Sequence, residues 1–325
     1  MKEVRWGIIG CGDVTEVKSG PAFNKVENSS LVAVMRRNAE KAEDYAERHN
    51  VPKWYSNADD LIYDSEVNAV YVATPPSSHA EYTIKAAKAG KHVYVEKPMA
   101  ANHEECLEMV KACRKQGVKL FVAYYRRRLP LFQKVLELLN DNKIGKVRAV
   151  DIRLHLKTRE EDHDRDNLPW RVIESVAGAG YFYDLASHQL DILDYFFGPV
   201  KDAAGIKTNQ AGLYDVEDAV SAAFIFENNI TGSGSWCFTL VQNEVDEITI
   251  TGETGSIVFS AFEKNPVKLN TAADVQEFKE VWPEHVHQPL IKVVVDDLLG
   301  TGECLSTGES GARTNWVMDK ILGKM

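Results

Sequence analysis

Two glycines at the end of the first apolar run restrict how this chain can fold. Gly10-Cys11-Gly12 directly follows Val4–Ile9, a run with the composition of a buried strand. At the end of a strand, the first glycine permits a tight turn and the second lets the backbone approach a pyrophosphate. The helix that follows directs its positive N-terminal end at that charge. The motif therefore predicts a dinucleotide site at this turn.

The turn departs from the full dinucleotide fingerprint at two places. Thr15 occupies the third position, where Gly or Ala is usual, and Gly20-Pro21 is expected to end the following helix early. The alternative interpretation is an ordinary glycine-rich turn between a strand and a helix. The strand before the turn and the alternation after it favour the dinucleotide site.

Short β-rich runs alternate with helical patterns over residues 1–123. This alternation predicts βαβ units and a parallel sheet. Asn102 or His103 can open one helix, and Gly90 and Gly117 lie just beyond the ends of two others. The predicted strands are residues 4–9, 31–35, 67–73, 92–95 and 120–123, and the predicted helices include residues 39–49, 78–89 and 103–116.

After Arg126 the pattern changes. A charged loop spans residues 157–167, and strand-like runs joined by short turns occupy residues 200–268, which predicts an antiparallel sheet. We expect two domains in an α/β chain, a dinucleotide-binding domain at residues 1–123 and a second domain at residues 124–325. The other elements expected in the second domain are a strand at residues 146–156 and helices at residues 131–140, 182–197, 289–299 and 308–322.

The end of the second predicted strand carries two arginines, Arg36 and Arg37, and no acidic residue. An NAD-specific enzyme usually has a carboxylate there, which accepts hydrogen bonds from the ribose 2′-hydroxyl. Guanidinium groups match a 2′-phosphate instead, because Arg binds phosphate through paired hydrogen bonds. We predict NADP over NAD. The alternative is that both arginines are solvated charges on a loop.

Charge and cysteine content exclude several kinds of partner. The chain has 38 Lys and Arg against 48 Asp and Glu, a net charge of −10, so it lacks the positive charge that binding to a nucleic-acid backbone requires. No apolar run approaches the ~18 residues of a membrane helix. The five cysteines are scattered, with no Cys-x-x-Cys pair. We expect a cytoplasmic protein with no metal site and no nucleic-acid or membrane partner.

Several short motifs follow the predicted strands and helices in both halves. The first half has Ala73-Thr74-Pro75-Pro76 with His79, and then Glu96-Lys97-Pro98. The motifs of the second half are Tyr124-Tyr125-Arg126-Arg127, Ile144-Gly145-Lys146-Val147, Trp170-Arg171, the run 178–184 that leads into His188, and the run 252–257. Together with the glycine turn, their order and spacing resemble the Gfo/Idh/MocA family, named after glucose–fructose oxidoreductase, inositol dehydrogenase and rhizopine catabolism.

The resemblance implies a Rossmann domain followed by an α/β domain with an open, mainly antiparallel sheet, whose face family members commonly use to form dimers or tetramers. It also implies NAD(P)-dependent oxidation or reduction of sugars, sugar derivatives or polyols at a CH–OH group. For His79, a second interpretation stays open, that it only helps to begin a helix after Ser77-Ser78. The cofactor-binding residues expected from the motifs are Gly10, Gly12, Asp13, Val14, Arg36, Arg37, Thr74, Pro75, Pro76, His79, Glu96 and Lys97.

Hydride transfer from an alcohol requires a base for the hydroxyl proton and a cation near the oxygen. Lys97 matches the lysine of the family's Glu-Lys-Pro motif and is expected to stabilise the developing alkoxide. Asp184 and His188 match the family's catalytic Asp and His. They are four residues apart on one helix face, so His188 would accept the proton and Asp184 would orient its ring. The expected substrate contacts are Lys97, Arg126, Trp170, Arg171, Asp184 and His188.

Alternatives remain open at the level of both residues and function. Lys97 could be a solvated charge, and Asp184 with His188 a pair on a helix surface. The acidic loop 160–166 is either solvated surface or a specificity lid. The leading function is an NADP-dependent dehydrogenase. The alternatives are a redox-neutral, NAD-dependent enzyme that cleaves glycosides and a non-enzymatic sensor of dinucleotide or sugar.

Overall fold

The computed structural model describes residues 1–325 and contains two units that are discontinuous in sequence. The first unit comprises Met1–Tyr125 and Pro283–Ala312, and the second comprises Arg126–Trp282 and Arg313–Met325. The chain first passes from one unit to the other between Tyr125 and Arg126, two residues beyond the expected domain boundary. The segment Pro283–Ala312 belongs to the first unit, whereas the sequence analysis assigns it to the second domain.

The first unit contains a six-stranded parallel sheet. Its strands are β1 (Val4–Ile9), β2 (Ser29–Met35), β3 (Lys53–Tyr55), β4 (Ala69–Val72), β5 (His92–Val95) and β6 (Leu120–Val122). They lie in the order β3-β2-β1-β4-β5-β6, and every neighbouring pair is parallel. This is the order of a Rossmann sheet, so the predicted fold class is confirmed for this unit. The strand order reverses between β1 and β4, where sheets of this kind bind ligands at the carboxyl ends of the strands.

Helices connect these strands, and their ends follow local capping rules. The helices are α1 (Asp13–Val17), α2 (Ala39–Arg48), α3 (Ala58–Ile62), α4 (His79–Lys88) and α5 (His103–Gln116). Asn102 begins α5 by accepting a hydrogen bond from the Glu105 N–H at 2.9 Å, and Gly117 ends it with a φ of 65°. The predicted caps of this helix are therefore confirmed.

The second unit contains an eight-stranded sheet. Its strands are β7 (Val147–Lys157), β8 (Val200–Thr208), β9 (Ala219–Phe226), β10 (Thr231–Leu240), β11 (Val245–Gly252), β12 (Gly255–Phe259), β13 (Val267–Thr271) and β14 (Val275–Phe278). They lie in the order β14-β13-β12-β11-β7-β10-β9-β8. Only the central pair of β7 and β10 is parallel, and the other pairs are antiparallel. The predicted mainly antiparallel sheet is confirmed.

One face of this sheet carries the core of the second unit. The helices of the unit are α6 (Pro130–Asn140), α7 (Glu174–Ala177) and α8 (Ser187–Phe197), and a π-helical turn at Phe182–Ala186 leads directly into α8. Apolar residues at every second position of β7 and β11 are buried, as are the first eight residues of α8. The Trp236 indole N–H on β10 donates to Gln189 Oε1 on α8 at 2.8 Å. Helix α8 is therefore fixed on the sheet by its buried side chains and by the Trp236–Gln189 hydrogen bond.

The chain then returns to the first unit and ends in the second, through α9 (Gln288–Leu299) and α10 (Gly308–Ile321). Within the first unit, Lys119 forms an ion pair with Asp297 of α9, and Phe121 of β6 bridges to Thr307. The assignment of Pro283–Ala312 to the first unit follows from this packing, because α9 buries Leu290, Ile291, Val294 and Val295. None of the helices has the combination of length and apolar character needed to cross a membrane.

Candidate active site

The glycine turn after β1 has the geometry that a dinucleotide requires. Gly10 has a φ of +93°, and its N–H donates to the Met35 carbonyl at 2.9 Å. A Cβ atom at Gly10 would lie 2.7 Å from the Thr74 methyl carbon, so only glycine fits between the two loops. A Cβ at Gly12 would have no neighbour closer than 4.0 Å. The backbone at Gly12, followed by Asp13 and Val14, therefore faces open space, which fits close approach by a pyrophosphate.

Thr15 and Gly20, the residues at which the sequence departs from the fingerprint, pack next to this turn. Thr15 donates its hydroxyl to the Gly12 carbonyl at 2.7 Å, and its own carbonyl accepts from the Tyr45 hydroxyl of α2 at 2.8 Å. A Cβ at Gly20 would lie 2.2 Å from the Thr15 oxygen. Gly20 therefore packs against Thr15 and Tyr45 so closely that no side chain fits there. The expected early end of the helix is confirmed, because α1 has five residues and Pro21 lies in a separate 3₁₀ turn.

Arg36 lies across the glycine turn, whereas Arg37 is exposed. Arg36 is half-buried, its Nη1 donates to the Cys11 carbonyl at 3.3 Å, and its backbone N–H donates to the Tyr55 carbonyl at 3.2 Å. Burial raises the pKa of the Cys11 thiol to about 11, so the turn carries no thiolate at neutral pH. The guanidinium of Arg36 is therefore held next to the expected dinucleotide site.

The Thr74 loop after β4 is tied to the loop after β5 by His79. His79 is the first residue of α4 and is fully buried, and its Nε2 lies 2.7 Å from the Thr74 carbonyl while its Nδ1 lies 3.1 Å from the Pro98 carbonyl. Burial lowers the pKa of His79 to about 4, against the carbonyl contacts, which favour its protonated form. His79 begins a helix, and its contact with the Thr74 carbonyl also fixes the expected cofactor loop Thr74-Pro75-Pro76.

Glu96 fixes the backbone of Lys97 at the end of β5. Its carboxylate is buried, accepts a hydrogen bond from the Tyr71 hydroxyl of β4, and accepts the Lys97 N–H at 3.2 Å. His287, from the segment that returns to this unit, has its Nδ1 3.8 Å from Glu96 Oε1. Burial raises the pKa of Glu96, and the Tyr71 hydrogen bond opposes that rise. Tyr71 and His287 were not predicted from the sequence, because neither belongs to one of the motifs.

In the second unit, three of the predicted substrate residues lie together. Arg171 Nε donates to Asp184 Oδ2 at 3.2 Å, and the Arg171 guanidinium lies 4.6 Å from the centre of the Trp170 ring. Asp184 lies in the π-helical turn, and His188 is the second residue of α8. Such turns inside helices are frequent at functional sites. The predicted orientation of His188 by Asp184 stays a prediction, and the sequence analysis did not foresee the Arg171 ion pair.

A buried ion-pair network anchors α8 one turn beyond His188. Arg127 donates to both carboxylate oxygens of Asp191, from Nε at 2.8 Å and from Nη2 at 2.7 Å, and Arg313 binds Asp194 in the same paired manner at 2.9 and 2.7 Å. Burial raises the pKa of Asp191 to about 6, although Arg127 opposes the rise. Asp191, three residues after His188 on α8, is therefore a structural anchor.

The acidic loop is exposed except at one residue. Asp162 is fully buried and accepts hydrogen bonds from the Tyr181 hydroxyl at 2.7 Å and from the Arg159 N–H at 3.2 Å. The other residues at 160–166 are exposed. Asp162 thus fixes the loop to Tyr181, the residue before the π-helical turn. A role of the loop as a lid stays a prediction.

Comparison with known proteins identifies both halves of the chain. Residues 4–124 match the model of the Gfo/Idh/MocA oxidoreductase family, NAD-binding Rossmann fold, and residues 132–258 match the model of the GFO/IDH/MocA C-terminal domain. The chain is 42% identical over 322 residues to Oxidoreductase P35 of Formosa agariphila, a match that covers 98% of each chain. It is 26% identical to 1,5-anhydro-D-fructose reductase of Ensifer adhaerens, over 94% of this chain and 92% of that protein.

A solved structure supports the same assignment. The WlbA dehydrogenase from Bordetella pertussis, in complex with NADH and UDP-GlcNAcA, superimposes with a TM-score of 0.84 at 25% identity. The superposition covers 99% of this chain and 95% of that structure.

Proposed function

Because the chain belongs to the Gfo/Idh/MocA family of oxidoreductases, we propose that it is a dehydrogenase or reductase that uses NADP in preference to NAD and acts on a CH–OH group of a sugar, sugar derivative or polyol. The observation that carries the proposal is the arrangement at the switch in strand order. There the Gly10 turn contacts Thr74, and the loop after β5 holds Lys97 through Glu96. When bound, the nicotinamide supplies the acceptor or donor of the hydride.

The preference for NADP rests on the two arginines after β2. Arg36 is held against the glycine turn by its bond to Cys11, and Arg37 extends into solvent beside it. Two guanidinium groups can bind a 2′-phosphate through charge-assisted hydrogen bonds, whereas no acidic side chain is present at residues 36–38 to accept the ribose 2′-hydroxyl. NAD would lack the phosphate that these arginines recognise.

The chemical roles fall to Lys97, His188 and Asp184. In the oxidative direction the substrate loses one hydride to the cofactor and one proton to His188, and its C–OH becomes a carbonyl. The Lys97 ammonium stabilises the negative charge that develops on the oxygen. Asp184, held by Arg171, orients the His188 ring. Arg126, Trp170 and Arg171 contact the substrate.

The substrate class and the assembly state are also part of the proposal. The anhydrofructose reductase, at 26% identity, is named for a sugar substrate. A homodimer or homotetramer is proposed from the family's common use of the open face of this sheet, on which residues of β7 such as Asp151 and Arg153 are exposed. Five separate free cysteines support a cytoplasmic location, since that compartment keeps thiols reduced.

The test is reduced-nicotinamide absorbance with a panel of sugars, polyols and glycosides, with NADP and NAD compared side by side. We expect turnover with at least one sugar or polyol, and a higher kcat/KM for NADP. Absence of turnover despite cofactor binding would contradict the proposal. Glycoside cleavage without net reduction of cofactor would favour the redox-neutral enzyme instead.

A further inference from the structure

A phenylalanine in the loop after β12 lies against the predicted catalytic base. The ring of Phe262 and the ring of His188 have centroids 5.9 Å apart and planes at 75°, an edge-to-face arrangement. The two residues are 74 positions apart, and both belong to the second unit. His188 is buried, whereas Phe262 is half-buried.

The loop that carries Phe262 is fixed by a carboxylate. Asp246 of β11 accepts the N–H groups of three consecutive residues, Ala261 at 3.0 Å, Phe262 at 2.6 Å and Glu263 at 2.9 Å. The Ser260 hydroxyl donates to the Asp246 carbonyl at 2.7 Å. Hydrogen bonds to an ionised carboxylate are stronger than neutral ones. The position of the Phe262 backbone is therefore set by the sheet and does not depend on a flexible loop.

Arg126 fixes the ring itself. Its Nε donates to the Ala261 carbonyl at 2.8 Å, and its guanidinium carbon lies 4.5 Å from the centre of the Phe262 ring. The guanidinium is buried and stacks as a cation on the aromatic face. Arg126, His188 and Phe262 therefore form one packed cluster, which we call the aromatic wall.

We propose that Phe262 is a specificity-determining residue that packs against the apolar C–H face of a cyclic sugar or cyclitol, beside the carbinol whose proton His188 accepts. This inference rests on the proposed function and narrows its substrate class. A six-membered ring with mostly equatorial hydroxyls presents a flat patch of C–H groups, and burying that patch on an aromatic ring is favourable. A small acyclic polyol has no such face, so it gains little from the aromatic wall.

The experiment compares the variants Phe262→Leu and Phe262→Tyr with the wild type on a cyclic substrate and on an acyclic polyol. We expect Phe262→Leu to raise KM for the cyclic substrate by about five- to ten-fold with a smaller change in kcat, because the lost aromatic contact contributes to binding. Phe262→Tyr keeps the aromatic face and should retain most of the wild-type affinity for the cyclic substrate. For the acyclic polyol, either substitution should change KM by less than about two-fold.

Phe278→Leu is the matched control, because Phe278 is a half-buried phenylalanine on β14 of the same sheet, packed against Lys134. This variant should leave KM and kcat unchanged for both the cyclic and the acyclic substrate. Circular dichroism and cofactor binding check that each variant is folded. If folded Phe262→Leu keeps the wild-type ratio of cyclic to acyclic kcat/KM, the inference is overturned.

Calorimetric binding of the cyclic sugar separates this inference from the proposed function. A wild type that binds the sugar but transfers no hydride contradicts the proposed function alone. In that case weaker binding to Phe262→Leu still supports the role of Phe262, and equal binding to both proteins rejects it. A wild type that binds and turns over only acyclic polyols rejects the inference and leaves the dehydrogenase intact.

Discussion

Arg36 is the residue that we expect to decide between NADP and NAD. Its half-buried guanidinium is held at the glycine turn by the Cys11 carbonyl, whereas the Arg37 side chain is exposed. The residue types alone permitted the prediction that a 2′-phosphate binds here. They could not show which of the two arginines lies over the turn, because that depends on how β2 ends relative to β1.

Replacing Arg36 with alanine should weaken NADP binding by about ten-fold or more, because a hydrogen bond to a charged group is worth about 1.5–3 kcal/mol. NAD binding should change little, since NAD carries no 2′-phosphate. Fluorescence titration of both cofactors measures the two dissociation constants.

Arg114→Gln is the control for a general change in charge, because Arg114 is a well-exposed arginine on α5 of the same unit. It should leave both affinities unchanged. Equal weakening of NADP and NAD by Arg36→Ala would show that Arg36 supports the turn and does not select the cofactor.

At the level of the elements, an ion pair between Glu16 of α1 and Arg48 of α2 joins the two helices, and its contribution to stability depends on pH. Glu16 of α1 accepts hydrogen bonds from Arg48 Nη1 at 2.8 Å and Nη2 at 2.9 Å, and His49 Nε2 lies 2.8 Å from it. The Arg48 hydrogen bonds lower the pKa of Glu16 from 4.5 to about 2. A carboxyl group with a lowered folded-state pKa stabilises the fold above its unfolded pKa.

Glu16→Gln should therefore be less stable than the wild type at pH 7. The difference in the free energy of unfolding should shrink as the pH falls from about 4.5 towards about 2, where the folded carboxylate takes up its proton. Urea unfolding at a series of pH values measures it. A difference that stays constant over this range would mean that Glu16 acts through packing and not through its charge.

The helix α8 depends on the buried pair of Arg127 and Asp191. Removing Arg127 leaves the Asp191 carboxylate buried without its main partner, which costs about 3–5 kcal/mol. Arg127→Met should lower the free energy of unfolding by that amount at pH 7. The loss should be smaller at pH 5, because burial already raises the pKa of Asp191 to about 6 and its protonated form is neutral.

The double variant Arg127→Met with Asp191→Leu is the matched comparison, since it removes both charges. It should recover part of the lost stability in urea unfolding. If the single and double variants are equally unstable at both pH values, loss of packing and not an unpaired charge is the cause.

The regular elements of the first unit were predictable because their signals are local. Strands β1 and β5 and helix α5 have the predicted bounds. The sequence analysis missed β3 and α3, because three and five residues are too few for a periodic pattern. In the second unit the antiparallel pairs follow from the turns between consecutive strands. The parallel pair of β7 and β10 has no local signal, because 73 residues lie between the end of β7 at Lys157 and the start of β10 at Thr231.

On the scale of the whole molecule, the first unit is completed by residues that come more than 150 positions after its main segment ends. Helix α9 buries Leu290, Ile291, Val294 and Val295, and His287 contacts Glu96 beside Lys97. The amphipathic pattern of α9 predicted a helix but not the sheet against which it packs. For the same reason, the sequence motifs could identify His188 but not the Phe262 ring beside it.

A chain that ends at residue 282 should therefore lose a stable first unit. Each of the four buried side chains contributes about 1.5–3 kcal/mol, so their sum approaches the whole stability of a typical domain. Cofactor binding and the thermal transition in circular dichroism measure the loss. A truncated chain that binds cofactor with wild-type affinity would show that residues 283–312 are dispensable for this unit.

We propose that Lys97 is essential for hydride transfer by an enzyme that prefers NADP. The most direct measurement is the rate of NADP reduction by wild type and Lys97→Met with the best sugar or polyol of the panel, beside the dissociation constant for NADP. We predict that Lys97→Met lowers kcat by about 10²–10⁴-fold while NADP affinity changes by less than about three-fold. Wild-type turnover in the folded variant would show that Lys97 is not needed for hydride transfer.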